Sequence, residues 1–554
     1  MSEGGEPVNV AGHLALAAAR TPYQPAILPA EDGAFPARSF AELNADVSAC
    51  SNLLRKRGVR PGDKTLLMVR PGYELILCAF ALFHLGAPPV VIDPGMGLKN
   101  FLRCVRRTRP DALVGIPLAR LLSLLFFRAF RSLRTKVTVR AGLFLNAMDA
   151  HRSGGSSSAA EAKPDDLAAI LFTSGSTGTP KGVRYEHGTF AAQVKALQTN
   201  FGFEEGETDL ATLPVFALFN PALGLTTVVP DMDPRCPAQA DAGKLADALL
   251  RHRVTSAFGS PVLWRKLADH CEARQLTLPD VKRVFLAGAA TPPDLVERLV
   301  PLLPNARILF PYGATEALPV SVCDAQEVLA QRPSTERGEG SCLGVPLPGI
   351  SLHLLPVRNA PIPDLGEVEL LPPGEVGEIT VGGPVVTKEY HLMPGATFDA
   401  KVRCGEETLH RMGDLGYLDK EGRLRFLGRK AERVLTPDGP LETERAEPVA
   451  NALSKVKRSA LIGLGAEREK EPALVVEPEP ECFPRNLAEE QSLAQEVLAT
   501  LHIHERLRPI RRVFFEQAFP VDARHNAKIH RLALARKWTK KAGPSESNPL
   551  EPDT

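Results

Sequence analysis

The sequence predicts an α/β protein, with a large N-terminal domain of layered α/β subdomains followed by a smaller α+β C-terminal domain. Three observations carry that expectation. Helical and strand-like segments alternate between residues 40 and 92. Short apolar strand runs then recur as far as residue 310, with helical stretches between several of them. Near residue 430 the character changes: charge density rises and short mixed elements follow. Alternation of this kind implies a parallel sheet flanked by helices. At 554 residues the chain is also too long for one ordinary core, so at least two domains are expected.

In chain order, Phe40–Arg57 reads as an amphipathic helix, Lys64–Val69 as a short buried strand, Gly72–Leu85 as a second helix and Pro88–Ile92 as a strand. His151–Pro164, with its Ser-Gly-Gly-Ser-Ser-Ser run, is a polar surface loop. Apolar strands follow at Ala168–Phe172, Ser256–Phe258, Val284–Leu286 and Arg307–Phe310. The tail 542–554, AGPSESNPLEPDT, has the Pro, Ser and Glu content of a disordered segment.

Hydrophobic content of 44% and charged content of 24% are ordinary for a globular protein. Lys and Arg total 66 against 65 Asp and Glu, so charge gives no broad reason to expect a nucleic-acid partner. The nine cysteines are scattered singly, which argues against a disulfide scaffold or zinc site and suits a reducing cytosol. The N-terminus is acidic before its short apolar run, unlike a secretory signal. No stretch reaches the roughly 18 apolar residues of a spanning helix. A soluble, cytoplasmic protein is expected.

One segment departs from this pattern. On a helical wheel, 118–136 (LARLLSLLFFRAFRSLRTK) gathers Arg120, Arg128, Arg131 and Arg134 in one arc, with Leu122, Leu125, Phe126, Ala129 and Leu133 opposite. That is a basic amphipathic helix, which either packs on the core or touches a membrane or the entry of an apolar substrate.

The chemistry concentrates in Leu171-Phe-Thr-Ser-Gly-Ser-Thr-Gly-Thr-Pro-Lys-Gly182. An apolar strand runs into Thr173, Ser174, Gly175, Ser176, Thr177 and Gly178. Glycines let backbone approach a phosphate, amides and hydroxyls supply donors, and Lys181 adds a point charge. A Walker loop is disfavoured: Pro180 stands where that motif has Gly, and Gly182 where it has Ser or Thr. Val183–Glu186 reads as a strand, so the loop does not open a helix. A flexible linker would lack the buried strand before it and the Pro-Lys-Gly after it.

The loop resembles the signature phosphate loop of the adenylate-forming superfamily, which includes acyl-CoA synthetases, peptide-synthetase adenylation domains and luciferases. Further motifs follow in the family's order. Leu286-Ala-Gly-Ala-Ala290 resembles the backbone lining the adenine and acyl pockets, which implicates Gly288, Ala289 and Ala290. Tyr312-Gly-Ala-Thr-Glu316 resembles the adenine and magnesium motif. The resemblance implies that Tyr312 stacks on adenine beside Gly313, that Thr315 contacts the α-phosphate, and that Glu316, with Thr177, holds Mg²⁺. An acidic oxygen suits that hard cation. Met412-Gly-Asp-Leu-Gly-Tyr417 resembles the ribose motif, with Asp414 accepting both sugar hydroxyls. Gly428-Arg429 resembles the start of an interdomain hinge, with Arg429 also near the ribose. Asn526-Ala-Lys-Ile-His-Arg531 resembles the catalytic-lysine motif, in which Lys528 bridges the attacking carboxylate and the α-phosphate. The resemblance implies ATP and Mg²⁺ as cofactors, an AMP-binding domain over 1–428 and a mobile lid domain over 429–541.

Two departures narrow the choice. Ala431 stands where the family hinge has an acidic residue or lysine, and Ala527 replaces the usual Gly of the lysine motif. Both weaken the case for thioester formation, which needs a large rotation about the hinge. Phe216–Asp233, the segment after Gly115-Ile-Pro117, Gly422–Val434 and Val521–Arg531 look like the olefin β-lactone synthetases of bacterial long-chain hydrocarbon biosynthesis. That resemblance implies a 2-alkyl-3-hydroxyalkanoic acid as substrate and closure of its adenylate by its own hydroxyl. It also implies a thiolase, a reductase and a β-lactone decarboxylase as pathway partners. Three readings compete: a long-chain fatty acyl-CoA or acyl-AMP ligase, a degenerate nucleotide-binding module, and luciferase-like oxidation of the adenylate.

Overall fold

The computed structural model describes residues 7–140, 142–152, 158–173, 180–213, 216–465, 470–521 and 529–542. Two sheets built on parallel strands share a helical layer. One has six strands in the order Thr135–Thr138, Ala112–Gly115, Thr65–Met68, Pro89–Ile92, Leu167–Thr173 and Lys181–Glu186, with the last pairing antiparallel. The other has nine strands and runs from Val345–Pro346 to Arg38–Ser39 through Ala317–Asp324, Arg307–Ala314, Arg283–Leu286, Ser256–Gly259, Thr208–Leu210, Thr226–Val229 and Pro25–Pro29. Helices Val10–Arg20, Phe40–Lys56 and Tyr73–Leu85 pack on one another within the largest core.

The local sequence explains these elements. Ser39 and Glu42 form a capping box that starts Phe40–Lys56. Tyr73–Leu85 (YELILCAFALFHL) is apolar around most of its circumference and is buried almost throughout. It stops at Gly86, whose φ of 73° is the left-handed conformation that a side chain disfavours.

A third, antiparallel sheet holds Ser341–Cys342, Leu424–Arg429, Glu407–Leu418, Gly377–Gly382 and Ser351–Leu355, with Lys401–Cys404 paired to Glu407–Leu418. Beyond it lies a smaller α+β unit. Its three strands are Val456–Leu464, Glu471–Pro478 and Arg512–Phe515, packed with helices Thr443–Asn451, Leu487–His502 and Arg531–Ala542. The expected fold class is the one observed.

The long basic helix expected over 118–136 is not. The helix is Pro117–Leu125, and turns carry the chain into strand Thr135–Thr138. Tertiary pairing overrides the helical pattern: this β-branched stretch aligns with Ala112–Gly115, and the Arg134 amide donates to Asp111 O at 2.8 Å. Arg134 itself is tied to Asp63 at 2.6 Å. Leu118, Leu121, Leu124, Leu125 and Phe127 are left 50–65% exposed. No helix among the described residues is long and apolar enough to cross a membrane.

Candidate active site

Those of the expected site residues that the structure describes lie on or beside strands of all three large sheets. Strand Leu167–Thr173 ends at Thr173, where the expected phosphate-binding segment begins, and Lys181 opens the antiparallel return strand. Gly182 is needed on that return, because a Cβ there would sit 2.8 Å from the ring of Phe172. Ser174, Gly175, Ser176, Thr177 and Gly178 lie outside the described residues, as does Lys528.

Strand Arg307–Ala314 carries Tyr312 and Gly313 into a tight reversal toward Ala317–Asp324, and Thr315 and Glu316 form its turn. A Cβ on Gly313 would meet Ala317 O at 2.6 Å. The neighbouring parallel strand Arg283–Leu286 ends just before Gly288, Ala289 and Ala290. Its register, Phe285 opposite Leu309, brings that segment off the sheet beside Tyr312. Ligands of open α/β sheets bind at such carboxyl ends.

The antiparallel sheet supplies the facing wall. Asp414 and Arg429 are register partners on adjacent strands, and their side chains pair at 2.9 Å. The Tyr312 hydroxyl donates to the other Asp414 oxygen at 2.6 Å. Asp414 is 2% exposed. Burial and the adjacent carboxylate hold the Tyr312 phenol well above its ordinary range, so it remains a donor. The Asp414 charge raises the Arg429 pKa further.

Thr315 and Glu316 are held by groups that no sequence motif indicated. Tyr185 donates to Thr315 O at 2.6 Å. Tyr390 donates to Glu316 Oε1 at 2.6 Å, and Thr387 donates to Glu316 O through its amide at 2.8 Å and its hydroxyl at 3.1 Å. Lys401, buried on the next strand, donates to Thr387 O. Burial lowers the Lys401 pKa to about 7, and the Glu316 charge offsets part of that effect. Its register partner His410 is pushed well below its ordinary value, first by burial and then by Lys401 and Lys181. Thr387 and Tyr390 stand in a run, Val-Thr-Lys-Glu-Tyr-His, that has neither periodicity nor glycine to mark it, and Lys401 follows ten residues after its end. Only their contacts with Glu316 and with one another disclose them.

Of the expected metal ligands, Glu316 offers the carboxylate oxygen that suits a hard divalent cation, and Thr177 lies outside the described residues. At the expected hinge, Ala431 is exposed between two ion-paired neighbours. Lys430 reaches Glu378 at 2.7 Å, and Glu432 reaches Arg531 at 3.0 Å.

The family described as AMP-binding enzyme matches residues 14–391. An olefin beta-lactone synthetase from Xanthomonas campestris pv. campestris is 44% identical over 508 residues, 90% of each chain. Another from Stenotrophomonas maltophilia is 43% identical over 551 residues, covering 96% of this chain and 98% of its own. Among solved structures, ATP-bound MatB from Rhodopseudomonas palustris superimposes with a TM-score of 0.78 at 21% identity, covering 97% of this chain and all of its own. At that identity the likeness speaks for the fold.

Proposed function

The chain belongs to the AMP-binding enzyme family, and from that premise we propose that it adenylates a 2-alkyl-3-hydroxyalkanoic acid with ATP and closes the adenylate to a β-lactone. The observation that carries this reading is the nearly full-length likeness to two olefin β-lactone synthetases.

In the first step a carboxylate oxygen of the acid bonds to the α-phosphorus and pyrophosphate leaves. Tyr312 and the Gly288–Ala290 backbone receive the adenine. Asp414, braced by Arg429, accepts the ribose hydroxyls. Thr173–Gly178 and Lys181 hold the phosphates, and Thr315 contacts the α-phosphate. Glu316 and Thr177 would hold Mg²⁺, which when bound offsets phosphate charge. Lys528 meets the charge that builds in the transition state. In the second step the 3-hydroxyl oxygen bonds to the acyl carbon, the acyl–phosphate bond breaks, the hydroxyl proton is lost and AMP departs. Tethering places the nucleophile within reach without an external acceptor. The ion pairs that hold the residues either side of Ala431 accord with a chain that needs no thioester rotation.

The domain division in this reading is 1–428 for nucleotide binding, 429–541 for the lid and 542–554 for a tail. A thiolase and a reductase supply the acid and a decarboxylase consumes the lactone, which makes a complex of these enzymes its partner set. The exposed leucines of Pro117–Leu125, next to exposed Arg120, Arg128 and Arg131, support peripheral contact with an anionic membrane.

The test is mass spectrometry of products from a racemic 2-alkyl-3-hydroxy acid with ATP and Mg²⁺, with and without CoA. A product lighter than the acid by one water, formed without CoA, is expected. A 3-deoxy analogue should be adenylated and then stall. Rapid CoA-dependent thioester formation from the deoxy acid would sink the lactone assignment.

A further inference from the structure

Residues 386–391 cross between the two parts of the site and touch both. Val386 bridges to Ala317, one residue past Glu316, and Thr387 holds the Glu316 carbonyl through its amide and hydroxyl. Four residues later the same segment runs antiparallel to the strand leaving the phosphate loop. Val183 bridges to Tyr390, the Arg184 amide donates to Glu389 O at 3.2 Å, and the His391 amide donates to Gly182 O at 2.7 Å.

Tyr390 sits in the middle of this crossing and makes two side-chain contacts of different kinds. Its hydroxyl donates to Glu316 Oε1 at 2.6 Å. Its ring lies under Lys181, with Nζ 5.0 Å from the centroid, inside the range of a cation–π contact. Tyr390 is 3% exposed, and its backbone amide donates to Thr397 Oγ1 at 3.0 Å, which anchors the segment that carries the ring. A glutamate carboxylate and a lysine ammonium are both long and rotatable. Here one rigid ring restrains both.

We propose that Tyr390 is a positioning residue for adenylation. Its hydroxyl fixes the Glu316 carboxylate and its ring fixes the Lys181 ammonium, so that the metal-binding and phosphate-binding side chains keep one spacing. This rests on the adenylation reading above. A tyrosine that merely filled the core would need its ring but not its hydroxyl, and Tyr390→Phe separates the two cases.

The experiment measures ATP affinity by calorimetry, with Mg²⁺ and with EDTA, for wild type, Tyr390→Phe and Tyr390→Leu, with folding checked by thermal melts. Tyr390→Phe should weaken binding of Mg²⁺–ATP about tenfold, the scale of one hydrogen bond to a charged group, and leave metal-free ATP affinity unchanged. Tyr390→Leu should weaken both, because Lys181 is released as well. In ATP–pyrophosphate exchange, the Mg²⁺ concentration for half-maximal rate should rise about tenfold in Tyr390→Phe. A folded Tyr390→Phe protein with wild-type Mg²⁺–ATP affinity and Mg²⁺ midpoint would overturn the assignment. Absence of exchange in the wild type would overturn the adenylation reading, and this one with it.

Discussion

Tyr312 and Asp414 stand on strands of different sheets and meet through a 2.6 Å hydrogen bond from the phenol to the carboxylate. With Arg429 on the other carboxylate oxygen, Asp414 is the shared anchor of both side chains. Asp414→Ala should therefore lose about 3 kcal/mol of stability in urea unfolding, because it strands two groups that were paired on a buried anion. It should also raise the KM for ATP at least tenfold if the carboxylate receives the ribose. Tyr312→Phe keeps the ring and removes only the donor, so about 1 kcal/mol of stability and a small change in KM are expected. Equal effects from the two variants would contradict this division of roles.

Lys528→Ala should abolish adenylation while leaving ATP affinity and the thermal melt close to wild type. A donor that acts mainly on charge developing in the transition state contributes on the order of 10²–10³ in rate. The check is pyrophosphate exchange alongside calorimetric ATP binding; wild-type exchange in the variant would remove Lys528 from the mechanism.

Lys401 gives the fold a pH signature. In the unfolded chain its amine keeps a proton to about 10.5, whereas burial lowers that limit in the fold to about 7. Between those values the unfolded state binds more protons, so stability falls as pH drops from about 10.5 to 7. The slope is at most ~1.4 kcal/mol per pH unit, and it vanishes below the folded pKa, where both states are protonated. Lys401→Met removes the titration. Urea-unfolding free energies should show the wild type gaining on the variant as pH rises from 7 to 10. Parallel curves would show that this amine keeps its ordinary pKa in the fold.

The apolar face at Leu121, Leu124, Leu125 and Phe127 should govern binding to anionic vesicles. Replacing Leu121, Leu124 and Leu125 with Ser should reduce cosedimentation severalfold. Arg128→Glu with Arg131→Glu should make the remaining binding weaker and less salt-sensitive. Arg134 is not a suitable target, since Asp63 and Asp111 hold it. Activity on a short soluble acid should be unchanged in all of these variants, and unaltered cosedimentation would leave the leucines without a lipid role.

Much of this architecture was legible because local pattern and tertiary outcome agree. Phe40–Lys56 has its capping box, Tyr73–Leu85 its apolar run, and the strands near residues 65, 90, 170 and 284 their short β-branched or aliphatic stretches. The helix proposed over 118–136 failed because its pattern competes with a strand partner 23 residues upstream, Thr135 against Ala112. The motif residues were visible because glycine, hydroxyl and charge cluster in sequence. Thr387, Tyr390 and Lys401 were not, because each acts through a contact with a distant residue.

The crossing at 386–391 also sets the order in which the site can come into being. The strand that leaves the phosphate loop finds its partner, Arg184 with Glu389, roughly 200 residues further along the chain. At about 5–20 residues per second of synthesis, some 10–40 seconds pass between the emergence of the two. Through that interval the parallel strands and helices of the first sheet can assemble, but Lys181 has no ring beneath it and Glu316 no phenol. Nucleotide binding therefore reports completion of a late, long-range step. A chain ending before residue 386 would lack Tyr390, Asp414 and Arg429, and it should bind ATP far more weakly than the full chain.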